Sequence, residues 1–359
     1  MSQVRTPKFT IKYNGKDITS DLTPYLTDVE YTDKVIGESD EISITLEDSE
    51  GLWRNEWWPS KGDKIDLDFG YDDLVTDAGT FTVDEIEISG PPDIVRIRGL
   101  ASWVTTAMRT KESKAYEGQT LKDIAQSVAS KHGLTLEGKI ATMRIARSTQ
   151  HQETDLEYLT RLANEFGYQF TIKGTKLVFW SVFELEKGTP VVEISRGDIA
   201  SYSMKDKAFD SYAEANVKYH DPKEKKLVSF NVKDVQSAGG ENFNDKSSAD
   251  KLEIRVKAEN QQQAEQIGKS QLYRKRANQI DGSISLEGNP ILVAGNNFDL
   301  LDMGALSGRY HITESRHRIS KSGGYETSIQ IKRVGYVVKT KHKANKTPRK
   351  TRYDVSVVQ

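Results

Sequence analysis

In the first hundred or so residues, apolar side chains recur at every second position in short runs. Phe9, Ile11 and Tyr13 form one run. Ile42, Ile44 and Leu46, then Ile65, Leu67 and Phe69, then Phe81 and Val83 follow, and Ile86 and Ile88, then Val95 and Ile97, complete the series. A period of two places alternate side chains on one face, so each run predicts a half-buried strand. Asn14-Gly15, Lys61-Gly62-Asp63 and Gly90-Pro91-Pro92-Asp93 supply the turn chemistry between runs. Short strands at this spacing predict a barrel or a sandwich.

The period changes after residue 106. Leu121, Ile124, Ala125, Val128 and Ala129 lie on one face of a helix over Thr120–His132, with Thr120 as N-cap and Gly133 closing it. A second helix is predicted from Glu153 to Phe166, capped by Thr154 and ended by Gly167, with Leu156, Leu159, Leu162, Ala163 and Phe166 inward. Tyr168–Thr171 and Lys176–Trp180 read as a hairpin around Lys173-Gly174-Thr175, and Ile140 to Arg147 as a strand. Residues 191–335 return to strands, interrupted by a polar loop from Ser237 to Asp250 and a helix over Asn260–Ile280 with Ala264, Ile267, Leu272 and Tyr273 inward. A last strand pair surrounds Ser322-Gly323-Gly324.

The pattern therefore predicts a β-rich α+β chain. Residues 1–105 form a β-barrel-like domain, 106–190 a small mixed α/β insert, 191–335 a second β-barrel-like domain with a helical insertion, and 336–359 a flexible basic tail. The outer thirds also echo one another. Asp40-Glu41-Ile42-Ser43-Ile44, Gly62-Asp63-Lys64-Ile65-Asp66-Leu67 and Gly79-Thr80-Phe81-Thr82-Val83-Asp84-Glu85 have counterparts late in the chain. These are Asp281-Gly282-Ser283-Ile284-Ser285-Leu286, Gly295-Asn296-Asn297-Phe298-Asp299-Leu300 and Gly308-Arg309-Tyr310-His311-Ile312-Thr313-Glu314. One chain carrying two similar β-domains would let a trimer present six similar surfaces in a ring.

Composition narrows the function classes. The chain has 359 residues, no cysteine and a net charge of −2. Disulfides, thiolate metal sites and thiol nucleophiles are excluded together. No stretch approaches the roughly 18 apolar residues of a membrane span, and Met1 to Thr10 lacks the apolar core of a secretory signal. Charge is uneven: Tyr336 to Gln359 holds seven Lys or Arg against one acid, whereas residues 1–335 hold 44 bases and 52 acids. An acidic body does not favour broad nucleic-acid binding. The basic tail can be a solvated end or a contact for DNA, acidic protein or a lumen wall.

Candidate chemistry is sparse, and no catalytic, cofactor or metal site is predicted. Glu153, Asp155 and Glu157 can be read as catalytic carboxylates, but acids at a helix start also stabilise its N-terminal dipole, and that reading is preferred. Arg147 and Arg161 can pair with those acids or serve a subunit contact. His311 and His317 sit an even number of residues apart and could share a strand face, yet lack further ligands at metal spacing. Gly118-Gln119-Thr120-Leu121-Lys122-Asp123-Ile124-Ala125 resembles the opening of a LysM peptidoglycan-binding module. It supports an alternative reading as a peptidoglycan-binding or cell-wall-acting module. Trp53, Trp57 and Trp58 cluster beside Pro59. Adjacent Trp57 and Trp58 would face opposite ways in a strand, making one a candidate contact and leaving core packing open.

The stretch Arg147-Ser148-Thr149-Gln150-His151-Gln152-Glu153-Thr154-Asp155-Leu156-Glu157-Tyr158-Leu159-Thr160-Arg161-Leu162-Ala163, continuing through Asn164 to Phe170, resembles the signature of phage late control D proteins. Gly308 to Ile312, His317, Ser320 and Gly323-Gly324-Tyr325 continue the likeness. The run with Trp53, Trp57, Trp58, Pro59 and Lys61-Gly62-Asp63 is similar to hub proteins of Mu-like phages. The motif is shared with the hub part of type VI secretion spike proteins. The resemblance spans roughly residues 5–335. It implies a structural, non-enzymatic hub without cofactors: a homotrimer with two tube-like domains per chain, joining the tail tube protein to the central spike protein beside other baseplate proteins. It places the chain in the virion tail baseplate, made in the bacterial host cytoplasm, with DNA passing through its channel unread. Secretion spikes continue into a long β-helix needle, whereas this chain stops soon after Val338, which favours a phage tail. Trp57, Trp58, Arg147, Glu153, Asp155 and Arg161 are the candidate subunit or partner contacts.

Overall fold

The computed structural model describes residues 5–335, apart from 36–38, 72–73, 102–107, 109, 174, 186–187, 208–211, 223, 234–247 and 278–279. The basic tail thus lies outside the described residues, as does most of the loop expected from Ser237. Ser248 to Asp250, the end of that loop, instead begin a strand, Ser248–Arg255.

The two regions of alternating residues meet in one large sheet. Leu26–Lys34, Glu41–Glu47, Ile94–Ala101, Leu74–Ser89 and Lys64–Tyr71 lie side by side, each antiparallel to the next. Pro7–Tyr13 extends this half beyond Lys64–Tyr71. In the other half, Ile199–Asp206, Ile280–Glu287, Gly324–Gly335, Gly308–Ser320 and Asn297–Leu301 are also antiparallel neighbours. Numbered by chain order, the strands of each half run one, two, five, four, three across the sheet.

The likeness extends to irregularities. The first strand of each half slips register at Leu26/Asp28 and at Ile199/Ser201. The fourth slips at Val83/Glu85 and at Ile312/Glu314. A bulge adds one residue and switches which parity faces the core. This joins the separate runs Phe81, Val83 and Ile86, Ile88 into one strand. The Gly turns match bond for bond. Gly62 N donates to Val83 O at 2.9 Å and Val83 N to Asp63 O at 2.8 Å, while Gly295 N donates to Ile312 O and Ile312 N to Asn296 O, both at 2.9 Å. Both glycines have φ of +95°, a left-handed value that disfavours a Cβ. Strand pairing aligns Ser43-Ile44-Thr45-Leu46 with Ser283-Ile284-Ser285-Leu286, one residue away from a match of Asp40 with Asp281.

Each half buries its own apolar face. One core holds Ile11, Ile42, Ile44, Leu46, Ile65, Leu67, Phe69, Phe81 and Val95; the other holds Ile284, Phe298, Leu300, Tyr310, Ile312 and Ile329. Ile319 and Tyr325 of the later half pack into the first core.

Two smaller units are inserted. In the first, helices Leu121–Lys131 and Asp155–Phe166 start with capping boxes: Thr120 with Asp123, and Thr154 with Glu157. Gly167 closes the second at φ 75°. Tyr158 is buried where the period pointed to Leu156, which is only partly buried. The strand expected over Ile140 to Arg147 runs instead from Arg144 to Glu153, antiparallel to Glu112–Thr120. The second unit departs further from expectation. Tyr212–Asp221, Lys226–Lys233 and Ser248–Arg255 leave the large sheet and form their own, with Tyr212–Asp221 and Ser248–Arg255 parallel. Helix Gln261–Ala277 covers this sheet, and at Gly268 the approach is close enough that a Cβ would lie 2.5 Å from Val217 Cγ2. The same helix sends Ile267 into the core of the first insert, so the two inserts pack together.

Candidate assembly interface

The two halves of the sheet are joined by one strand pair, Gly308–Ser320 against Leu26–Lys34. Glu314 faces Lys34, Ser315 faces Asp33, His317 faces Tyr31 and Ile319 faces Val29. This seam shows how one unit binds the next. Its inward face is dry. His317 lies 6.1 Å from the Tyr31 ring, nearly parallel to it, and 4.7 Å from Phe69. Ser315 Oγ donates to the Leu292 carbonyl, so His317 Nε2 must donate to that hydroxyl at 2.9 Å. Nδ1 then accepts from Tyr325 Oη at 2.9 Å. Burial pushes the His317 pKa down to about 4 despite the opposing backbone hydrogen bond at Leu292. Asp33 accepts from Ala294 N at 3.1 Å, tying the loop ahead of the Gly295 turn to the seam. The outward face is charged, with Arg316 3.5 Å from Glu30 and Arg318 3.4 Å from Asp28. Both arginines are half exposed, so these pairs orient more than they stabilise.

His311 and His317 do not share a face, contrary to their even spacing. The Ile312/Glu314 bulge lies between them and inverts the alternation. His311 is buried on the other side, donating from Nδ1 to Asn297 Oδ1 at 2.8 Å, and burial with nearby Lys332 lowers its pKa to about 3.

The seam joins the C-terminal part of a fourth strand to a first strand, and the same two positions recur elsewhere in the sheet with one side free. Ile199–Asp206 pairs only with Ile280–Glu287, and Glu85 to Ser89 only with Ile94 to Arg98, among the described residues. At the seam the inward positions are covered; at the edges Ile86 and Met204 are only partly buried, and Ile88 and Tyr202 are exposed, with Arg196 lying over the Tyr202 ring. Ile88 stands where His317 stands in the other half and is 46% exposed, against 2% for His317. Tyr202 stands where Val29 does and is 46% exposed, against 3%. Long exposed strand edges are templates for another chain.

The residues singled out from sequence fall in three places. Trp57 and Trp58 remain 43% and 45% exposed at one end of the first half, with Trp57 edge-on to Trp53 and to Tyr25. Beneath them lies a cavity of about 300 Å³ lined by Ile11, Leu22, Ile65 and Trp53. Arg147 is exposed, 3.9 Å from Glu117 rather than beside the helix acids. Glu153 and Arg161 form a two-pronged pair at 2.8 and 2.9 Å, and Arg161 also reaches the Thr149 carbonyl. Asp155 differs from the surface expectation, because it is buried. Burial alone would raise its pKa, but Lys131 at 2.8 Å, His132 at 2.6 Å and Gln150 at 3.0 Å hold the carboxyl below its usual range. It fastens the two helices inside the insert. Glu157 is spent on its capping box. The LysM-like octet spans the end of a strand and the capped start of Leu121–Lys131, so its polar residues Thr120 and Asp123 serve the cap.

Sequence reasoning missed Leu26–Lys34 and Ile199–Asp206, the strands that matter most here. A bulge breaks the alternation of each, and acids at 28, 30 and 33 disguise the first. The usable signal was Val29-x-Tyr31.

These features define a β-rich fold built from two units of like topology with two inserts. The chain is similar to the tail protein from Neisseria meningitidis MC58, with a TM-score of 0.66 at 13% identity over 91% of this chain and 96% of that one. It is similar to the 43 kDa tail protein of prophage MuSo2 from Shewanella oneidensis, with a TM-score of 0.65 at 14% identity over 92% and 99%. It also resembles the E. coli c3393 protein, a type VI secretion component described as structurally similar to phage T4 tail proteins gp27 and gp5, with a TM-score of 0.52 at 12% identity over 86% and 73%. Residues 93–323 match the phage tail baseplate hub (GPD) family, and the chain belongs to that family. Among named relatives, the probable baseplate hub proteins of Escherichia phages 186 and P2 are 30% and 29% identical over 176 and 200 residues. Those alignments cover 48% and 54% of this chain and 44% and 51% of the relatives, so the match spans about half the length of each curated relative.

Proposed function

We propose that this chain is a structural baseplate hub subunit of a contractile phage tail, acting as a homotrimeric ring between the tail tube and the central spike. One observation carries the reading: two units of identical strand order meet at a seam between the C-terminal part of a fourth strand and a first strand, and the equivalent segments, Glu85–Ser89 and Ile199–Asp206, each keep one edge free among the described residues. Ends that complement each other invite head-to-tail addition, which closes into a ring when the rotation allows it. Three chains would then present six similar units, matching a six-fold tube on one face, while the two inequivalent halves present a three-fold face to the spike. Family membership and the tail-protein fold support the same role.

In this reading residues 1–105 and 191–335, the latter without the inserted unit at 212–277, are the tube-like domains, and 106–190 together with that inserted unit stand outside the ring. The acidic body lines a channel that lets DNA pass without holding it. Trp57, Trp58, Arg147, Glu153 and Arg161 offer contacts to neighbouring baseplate proteins, and the basic tail docks on assembly. The hub works in the virion baseplate after assembly in the host cytoplasm, and its role is geometric rather than enzymatic. Native mass spectrometry of the purified chain tests this directly. A trimer is expected; a chain that stays monomeric even with the spike protein present overturns the proposal.

A further inference from the structure

The internal seam contains the instructions for an external one. Matching the halves through their shared pairings sets Glu85 against Glu314, Ile86 against Ser315, Glu87 against Arg316 and Ile88 against His317. It likewise sets Val29 against Tyr202, Tyr31 against Met204, Thr32 against Lys205, Asp33 against Asp206 and Lys34 against Lys207. Transferring the seam register to the bare edges then leaves no free parameter.

We propose that the edge Glu85–Ser89 of one chain pairs, antiparallel, with the edge Tyr202–Lys207 of a second copy, with Ile88 facing Met204, Glu87 facing Lys205, Glu85 facing Lys207, and Ile86 facing Asp206 where the seam sets Ser315 against Asp33. The inference rests on the ring reading above and adds its register and its contacts. Three independent features agree with it. Ile88 and Met204 are inward-facing on their own strands, so both bury the same way, as His317 and Tyr31 do at the seam. The outward pairs bring acid to base twice, and Glu85 with Lys207 repeats in kind the facing pair Glu314 and Lys34. Both edges are more exposed than their equivalents, Ile88 and Tyr202 at 46% standing for the buried His317 and Val29. A register shifted by one would set Ile88 against Lys205 or Ser203 and point an apolar side chain across from an outward polar one. The partner edge is therefore another copy of this chain and not an unrelated strand.

The chain has no cysteine, so a designed pair reports cleanly. Opposed side chains on antiparallel strands lie within reach of a disulfide. In Ile88→Cys with Met204→Cys, mild oxidation should convert most of the native trimer to covalently linked trimer on a non-reducing gel. Each single variant should stay unlinked, and Ile88→Cys with Lys205→Cys should link several-fold less. As a second arm, Glu87→Lys and Lys205→Glu should each weaken the trimer about tenfold, and the double variant should restore it. A trimer in native mass spectrometry that fails to link through 88 and 204 overturns this register and leaves the ring standing. Absence of a trimer even with the spike protein present overturns the ring itself.

Discussion

Lowering the pH should open the seam from the histidines outward. His317 and His311 lie on one strand, Gly308–Ser320, and both are buried and neutral, with pKa values near 4 and 3 instead of 6.5. A depressed histidine pKa means that the unfolded chain takes up the proton first. Stability is therefore whole above about pH 6.5 and is lost as the pH falls toward the folded values. At pH 5 the unfolded imidazole lies 1.5 units below its pKa, so each histidine costs about 2 kcal/mol relative to pH 8, about 4 kcal/mol together. The carboxylate Asp155, held low, titrates only below this window. Native-state hydrogen exchange of peptides covering Gly308–Ser320 and Leu26–Lys34, corrected for intrinsic rates, measures the opening free energy at each pH. His317→Gln should reduce the loss between pH 8 and pH 5 to about half, about 2 kcal/mol, whatever it does to stability at pH 8. Protection that does not change with pH, or an unchanged slope in His317→Gln, would refute the buried neutral histidine as the seam's weak point.

Other perturbations separate the parts of the account. Gly62→Ala and Gly295→Ala meet no neighbouring atoms, so each should cost only its backbone strain, about 1–2 kcal/mol and nearly equal; a large inequality in urea midpoints would deny that the two turns are equivalent. Asp155→Asn should destabilise the first insert by about 2–3 kcal/mol, less than a fully buried pair because Lys131 keeps partial access to water, and a Tm within a degree of wild type would count against the clasp. Thr154→Ala removes a side chain that accepts from Glu157 N and should cost about 1 kcal/mol, seen as faster exchange in the first turn of Asp155–Phe166.

What could be read from sequence follows from the range of the interactions. Thr120, Thr154 and Gly167 mark helix ends through bonds to residues three or four away, so the two helices of the first insert were legible almost to the residue. The repeated Gly turns at 62 and 295 were legible because a left-handed φ leaves a compositional trace. The departure of Tyr212–Asp221 into a separate sheet was not, since its parallel partner Ser248–Arg255 lies far along the chain and the helix that packs on it through Gly268 comes later still. Nor was the burial of Asp155. Its partners Lys131 and His132 come from the end of a different helix, and an acid at a helix start ordinarily faces water. Of the candidate contacts, Trp57, Trp58 and Arg147 are exposed, whereas the proposed contact at Ile88 and Met204 carries no short-range signal, because it follows only from the register of the internal seam.

The proposed hub role requires that two units of one chain count as equals in the assembled ring. Electron microscopy of the purified oligomer, viewed down its axis and analysed for rotational symmetry without imposing any, measures this most directly. The expected image is a closed ring whose coarse density repeats six times per turn and whose fine detail repeats three times. A two-fold particle, an open filament, or a ring with only three well-separated lobes would contradict it.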